Sequence, residues 1–445
     1  MTGAHPLKDN KYDDSTHIDK ANRCWKFRLQ IPQNVSSKLQ DWEKNNPFPG
    51  FRVDNIKILI SLIATHQRED DNGVVSAPLV MQYLRRYVCG ADRYIRLLLD
   101  EGIIQRIGGY VPGDHAYKYQ FTPEYRSEHT AYMMENPQLN RRLKRILGHN
   151  GRKNSRKYPK QNALIRDMTI DPTQAEGIAR MFYGGDDNTE AFNFALGSIT
   201  RIINKDFYSK VDDSGYRLHT NLTNLPKILR GLVQIRGKNL SGIDIRNSQP
   251  YIANKLLSDP EGAKDYYPGA LPYMMIKCLR LPEQEDVRRY ELLTSQAGFY
   301  KYLETEFNKR GANYPVVSES TVSNDLKEKV FQIMFDKNHH TSRERKIFRE
   351  LFPNVEKAFS VLRMNNYTDF VNSLTRMETH VILDKVLEYL NAAYPDMVAT
   401  QIYDNITTTL ATDDIEKAAA ALTAELTDFI GIPPTLKYEY YTTQY

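Results

Sequence analysis

Cysteine is scarce in this 445-residue chain: only Cys24, Cys89 and Cys278 occur, far apart and odd in number. No CxxC pair and no Cys/His ligand spacing exists, which argues against a zinc site, and so few thiols fit a reducing compartment. No apolar run approaches the roughly 18 residues of a membrane span. The stretch from Met1 to Asp14 is polar and has no apolar signal core, so the expectation is a cytosolic chain with no membrane partner. From about residue 166 onward there is no internal repeat, low-complexity tract or long disordered loop. Negative charge is missing from residues 141–166, which hold Arg141, Arg142, Lys144, Arg145, Arg152, Lys153, Arg156, Lys157, Lys160 and Arg166 but no Asp or Glu. The net charge of +5 and pI of about 8.7 mildly favour an anionic partner.

What is present divides the chain into four parts. Residues 1–45 read as a polar tail. Residues 46–130 begin at Pro47 and Pro49-Gly50 and carry three helical patterns. The first is Ile56, Leu59, Ile60, Leu62 and Ile63; the second is Leu79, Val80, Tyr83 and Leu84, with Ser76 as its cap; the third is Tyr94 with Leu97 to Leu99. Gly102 closes the third helix. Ile103-Ile104 then starts a strand, Gly108-Gly109 turns, and Tyr117, Tyr119 and Phe121 alternate on the way back. Helix, helix, helix and ribbon is the winged-helix order, and the neighbouring Arg85, Arg86, Arg93 and Arg96 point to a nucleic-acid reader. Residues 131–165 read as a basic linker. Its Arg152, Lys153, Arg156 and Lys157 would strap phosphates, since each neutralised phosphate releases counterions. Residues 166–445 read as a mixed α and β domain.

Within that last part, Leu240-Ser241-Gly242-Ile243-Asp244-Ile245 is an apolar strand with one carboxylate at its end. A second such element is Val398 to Ile406, carrying Asp404. Two strand-borne aspartates supply hard oxygen ligands of the kind that hold paired divalent cations during phosphoryl transfer.

The order of the surrounding motifs resembles the family A nucleic-acid polymerases, the group of DNA polymerase I and the phage single-subunit RNA polymerases. Arg217-Leu218-His219-Thr220, Asn224-Leu225-Pro226 and Arg230 precede Asp244, as an Arg-Leu-Ser-Ser and an Asn-Leu-Gln-Asn-Ile-Pro stretch precede that family's first catalytic aspartate. Asp244 to Pro250 is similar to its motif A, with Gln249 at the position of the glutamate that screens the sugar 2′ position. Lys327, Phe331 and Phe335 keep the spacing of motif B and lie near one face of a helix. Asn372 and Arg376 resemble an Asn-x-x-x-Gln helix, and Tyr403-Asp404 stands at motif C. The likeness covers about residues 211–410. It departs from the pattern at Gln249 for Glu, Ser323 for Arg, Asp336 for Gly and Tyr403 for His, and no proofreading exonuclease is recognisable.

The resemblance implies an α+β right-hand polymerase, with palm, fingers and an antiparallel palm sheet behind the small winged-helix domain. It implies that Asp244 and Asp404 hold two Mg²⁺ ions, with Mn²⁺ as an alternative. Lys327 would meet the triphosphate, while Gln249, Phe331 and Phe335 would shape the nucleotide pocket. Arg217, Arg230, Asn372 and Arg376 would hold nucleic acid together with Arg93, Arg96 and the basic strap. The partners would be a DNA template, a primer strand and nucleoside triphosphates. Gln249 and the hydroxyl-free Phe335 tilt the expectation toward dNTPs. The alternatives are a phage-type RNA polymerase or primase, and a non-catalytic replication protein.

Overall fold

Leu29 and Ile31 alternate with polar neighbours, a pattern easily lost in a charged stretch, yet they lie in a fully buried strand, β1 (Arg28–Pro32). The computed structural model describes residues 26–69, 73–109, 117–150, 156–185, 188–315 and 323–441, with backbone only at 148–150. Arg152 and Lys153 of the expected strap lie outside the described residues. The chain forms two compact units, one from residues 1–154 and 170–208, the other from 155–169 and 209–445. The expected polar tail therefore contains β1 and a helix, Ser36–Asn45, whose Leu39 and Trp42 are buried.

In the first unit β1 pairs antiparallel with β6 (His129–Met133). A second sheet has the order β2 (Arg68–Glu69), β3 (Val75–Pro78), β5 (Lys118–Phe121), β4 (Ile104–Ile107). Helix Val53–Thr65 precedes β3, and helices Met81–Tyr87 and Ala91–Asp100 lead into β4 and β5. Ser76, read above as a helix cap, sits inside β3, opposite Arg68. The helix it was expected to open starts at Met81. The basic linker is largely helical: Pro137–Asn150 and Pro159–Arg166 are helices. Leu139, Leu143 and Leu147, spaced four apart, bury the first of these against the unit's core, which is why a stretch rich in Arg and Lys folds. Helices Pro172–Tyr183 and Thr189–Ile203 complete the unit, so the division does not fall at residue 166.

Two histidines of this unit, half-buried His66 and buried His129, resist taking up a proton. Burial, then Arg201, pushes His66 down to about 4, and burial alone pushes His129 down to about 3. The unfolded chain binds protons near the ordinary value of about 6.5, which the folded chain resists. Their stabilising effect is complete above about pH 6.5 and is lost as pH falls toward 4 and 3. Each should subtract about 1.4 kcal/mol per pH unit across that window. Urea unfolding followed by tryptophan fluorescence (Trp42 is buried here) should show this slope. His129→Gln should flatten it by about half, and an unchanged slope would refute the assignment.

The second unit is built on a six-stranded sheet, β12 (Ala399–Ile402), β13 (Asn405–Thr409), β11 (Lys238–Ile245), β10 (Val233–Ile235), β7 (Met168–Ile170), with β14 (Leu436–Tyr440) also on β11. A separate ribbon joins β8 (Ser209–Val211) and β9 (Leu218–Thr220). The pairings of β11 with β10, β13 and β14 are antiparallel. Strand β11 is central, and its residues alternate between faces. Ile243 and Ile245 face a helical core with Ile406, Leu256, Leu374, Met377 and Leu422, while Gly242 and Asp244 point to the other face. Helix Asn324–Phe335 starts where Ser323 accepts from the Leu326 amide at 3.3 Å; Ser323 is thus its N-cap. Helix Tyr367–Thr379 continues into a seven-residue π-helix, His380–Val386, and then into Leu387–Ala393.

A candidate active site on the open face of the sheet

Strand register places the two expected aspartates together. Asp244 lies directly opposite Asn405 on β13 and opposite Lys437 on β14. Asp404 precedes Asn405 in the two-residue loop between β12 and β13. It is therefore a turn residue rather than a strand residue, beside Tyr403, whose φ of 57° is in the left-handed region. Directly opposed residues share a face, so Asp244, Asn405, Lys437, Gly242, Thr407 and Glu439 lie on one surface.

Charge on this surface is unevenly met. Glu439 accepts from Lys227 at 3.0 Å and Lys437 at 3.1 Å. Among the described residues neither aspartate carboxylate makes a side-chain hydrogen bond or ion pair, although Lys437 and Lys227 act on Asp244, and Arg217 on Asp404, from further off. Burial, then Glu439, pushes the Asp244 carboxyl up to about 6. Burial, then the charges of Glu378 and Asp244, drives Asp404 well above the carboxylate range. Two half-buried acids that resist ionising leave this surface short of positive charge.

Glu378, which sequence reasoning passed over, lies behind the pair on helix Tyr367–Thr379 with 2% of its side chain exposed. It accepts from Arg217 Nη2 at 2.6 Å and Nε at 3.2 Å, from Gln249 Nε2 at 2.7 Å and from Ser248 Oγ at 3.3 Å. Arg217 also sits over the Tyr403 ring at 5.3 Å. The available signal was a lone acid between Met377 and Thr379, two residues from Arg376. Lys437 and Glu439 were also missed, although their two-residue spacing on a strand was readable.

The remaining expected residues are dispersed. Lys327 and Phe331 are exposed on the outer face of their helix, opposite buried Leu326, Val330 and Met334. Phe331 stacks on Phe335 at 5.9 Å, and Phe335 meets Phe370 at 5.5 Å. Among the described residues no hydrogen bond or ion pair joins Lys327 to either aspartate. Arg376 donates to the Ser214 carbonyl at 2.7 Å and lies over Tyr216 at 5.0 Å, and Asn372 is half-buried on the same helix. Arg230 is half-buried and donates to the Leu225 carbonyl at 3.3 Å. Arg156 is exposed, and Lys157 pairs with Asp384 at 3.1 Å. Arg93 and Arg96 are exposed in the other unit.

No group of three or more His, Cys, Asp or Glu side chains among the described residues is arranged to hold a metal ion. The donor set of Asp244 and Asp404 still suits a hard divalent cation, because both are half-buried oxygen ligands that make no ion pair among the described residues. On that chemistry the two aspartates fit the pair of ions implied above.

Gly242 leaves room for its neighbours Tyr441 and Asn405. A Cβ there would stand 2.4 Å from Tyr441 Oη and 2.5 Å from Asn405 Nδ2, and both side chains are buried. Gly242→Ala should therefore lower stability by about 1–3 kcal/mol and displace Asn405, the neighbour of Asp404. A denaturant midpoint equal to that of the unaltered protein would show that the site yields freely.

No protein-family model matches the chain, and no curated protein matches it. Among solved structures, it is similar to the POL domain of Pol1 from M. smegmatis in complex with DNA primer-template and dNTP. The identity is 10% over 62% of this chain, and the TM-score is 0.26. The alignment spans 57% of that domain. So distant a likeness assigns no residue a role.

Proposed function

We propose that the second unit is a template-directed nucleotidyltransferase of polymerase type, extending a primer with nucleoside triphosphates. The observation that carries this reading is the closeness of Asp244, on its strand, to Asp404, in the adjoining hairpin turn, both half-buried and both with carboxyl groups pushed up by burial and by neighbouring acids. The two aspartates would hold divalent ions, Mg²⁺ with Mn²⁺ as an alternative, which when bound supply Lewis-acid stabilisation of charge on the reacting oxygens. Arg217, held from behind by Glu378, offers a pre-oriented guanidinium beside the Asp404 turn for a phosphate of the substrate or primer. Lys327, Phe331 and Phe335 present a cation and a stacked aromatic pair on one helical face, suited to a triphosphate and a base. Asn372, Arg376 and Arg230 contribute further contacts to nucleic acid.

Glu378 also fixes Gln249 by its amide nitrogen. A bulky side chain locked in this place, together with a phenyl rather than a phenol at Phe335, favours deoxyribose. In the first unit, helix, strand, helix, helix and ribbon make a winged-helix reader with Arg93 and Arg96 toward nucleic acid. The test is extension of a labelled primer on a DNA template with Mg²⁺, comparing dNTPs with NTPs and the parent protein with Asp244→Asn. Extension by the parent alone, faster with dNTPs, is expected. Equal extension by a folded Asp244→Asn protein would end this reading, and faster use of NTPs would reverse the sugar assignment.

A further inference from the structure

The helix Pro137–Asn150 presents a basic face that includes Arg141 and Arg145. Its sequence holds Arg141, Arg142, Lys144 and Arg145 and no Asp or Glu. Leu139, Leu143 and Leu147 pin its other side to the core, so the direction of the outer face is fixed, with Arg141, Lys144 and Arg145 exposed. Half-buried Arg142 donates to the Arg86 carbonyl at 3.2 Å, tying the helix to Met81–Tyr87. This part of the basic stretch is thus a rigid rod.

Five carboxylates of the same unit are engaged elsewhere: Glu135 with Lys26, Asp92 with Arg85, Glu101 with Lys38, Glu128 with Arg180 and Glu176 with Arg28. Among the described residues Arg141 and Arg145 make no ion pair, and at i and i+4 they repel each other. The helix dipole favours cations only in the last turn, whereas Arg141 lies in the second. No aromatic residue occurs in the helix, so the stacking platform used for single strands is missing. We infer that this helix binds the phosphate backbone of duplex nucleic acid, independently of base sequence. The inference concerns a surface apart from Asp244 and Asp404 and does not require that they be catalytic.

The test measures binding of the full chain to a labelled 20-base-pair DNA duplex by fluorescence anisotropy at several salt concentrations. Each lost phosphate contact reduces the slope of log affinity against log salt by about 0.9. R141Q/R145Q should therefore flatten it by about 1.8, alike on two unrelated sequences. Arg141→Lys with Arg145→Lys should keep the parent slope, which separates charge from helix integrity. A parent-like slope in the folded double Gln variant would overturn the inference. An equal loss on a single-stranded oligonucleotide would overturn the duplex assignment. Asp404→Asn should leave the slope unchanged, so a failure of nucleotide incorporation and a failure of this surface are read separately.

Discussion

Asp404→Asn should make the protein more stable and inactive at once. Its carboxyl is buried beside Asp244 and Glu378, and the charges of both oppose its ionisation. Keeping Asp244 ionised at neutral pH against a pKa of about 6 already represents roughly 3 kcal/mol of unfavourable free energy, at about 1.36 kcal/mol for each tenfold change in the acid constant. An uncharged amide at 404 likewise escapes the burial penalty and the opposition of Glu378 and Asp244 to a charge there, so without divalent ions a gain of about 1–3 kcal/mol is expected. Mg²⁺ should then stabilise the parent protein and leave the variant unmoved, because only the parent has both ligands. Primer extension should fall by at least about 10²–10³-fold, the range for deleting one preorganised electrostatic group. Thermal unfolding with and without Mg²⁺, run beside the extension assay, checks both halves. A variant less stable than the parent in the absence of metal would show that Asp404 is a structural acid held by contacts, and the catalytic reading would lose its main support.

Glu356→Gln should be among the most damaging single substitutions in the second unit. Glu356 is 2% exposed and accepts from Arg345 at 2.9 Å and Arg363 at 3.2 Å, both themselves buried. Arg363 Nη1 also donates to the carbonyls of Ile333 and Met334, and Arg345 donates to those of Lys337 and His340 at 2.9 and 2.8 Å. These are the last carbonyls of helix Asn324–Phe335 and the loop that follows it, groups a helix end leaves without internal partners. Burial, first among the causes, pulls Arg363 down to about 10, so its charge depends on the nearby carboxylate. Removing that charge strands two buried guanidinium groups and should cost about 3–5 kcal/mol. The same loss frees the C-terminal turn that carries Phe335. Any folded remainder should therefore use nucleotides less well than an equally destabilised variant elsewhere. A urea midpoint within error of the parent value would sink this account.

The motif order singled out two acids, Asp244 and Asp404, that strand pairing brings close together. Such pairing is non-local, so register could not be read from either segment alone. The geometry of Asp404 was read less well. An apolar run ending in Tyr-Asp-Asn looks like one strand, but the chain reverses at Tyr403 and Asp404 to make a hairpin. Glu378 was hidden because its role comes from three partners far apart in sequence, Arg217, Ser248 and Gln249. The second helical pattern was placed correctly, but its start was not. Ser76 looked like a cap, whereas Val75, Ser76 and Ala77 are a short strand whose partner, β5, lies some forty residues on. The linker was misjudged for a different reason: charge dominated a count that overlooked three leucines at helical spacing.

The π-helical turn after Glu378 sets a limit on how this chain can change its length. Seven residues from His380 to Val386 are wound more loosely than an α-helix, which amounts to extra chain taken up between two ordinary helical stretches. Losing one residue there would restore α-helical winding with the flanking stretches left in register. Leu387 and Leu390 would stay in the core, and Glu378 would stay against Arg217 and Gln249. A residue lost from the ordinary helix on either side has no such slack, and everything beyond would turn by about 100°, the angle that one residue occupies in an α-helix. Single-residue deletions across this helix should therefore divide sharply. Those within 380–386 would spare both the site and the packing, and those outside it would dismantle one or the other.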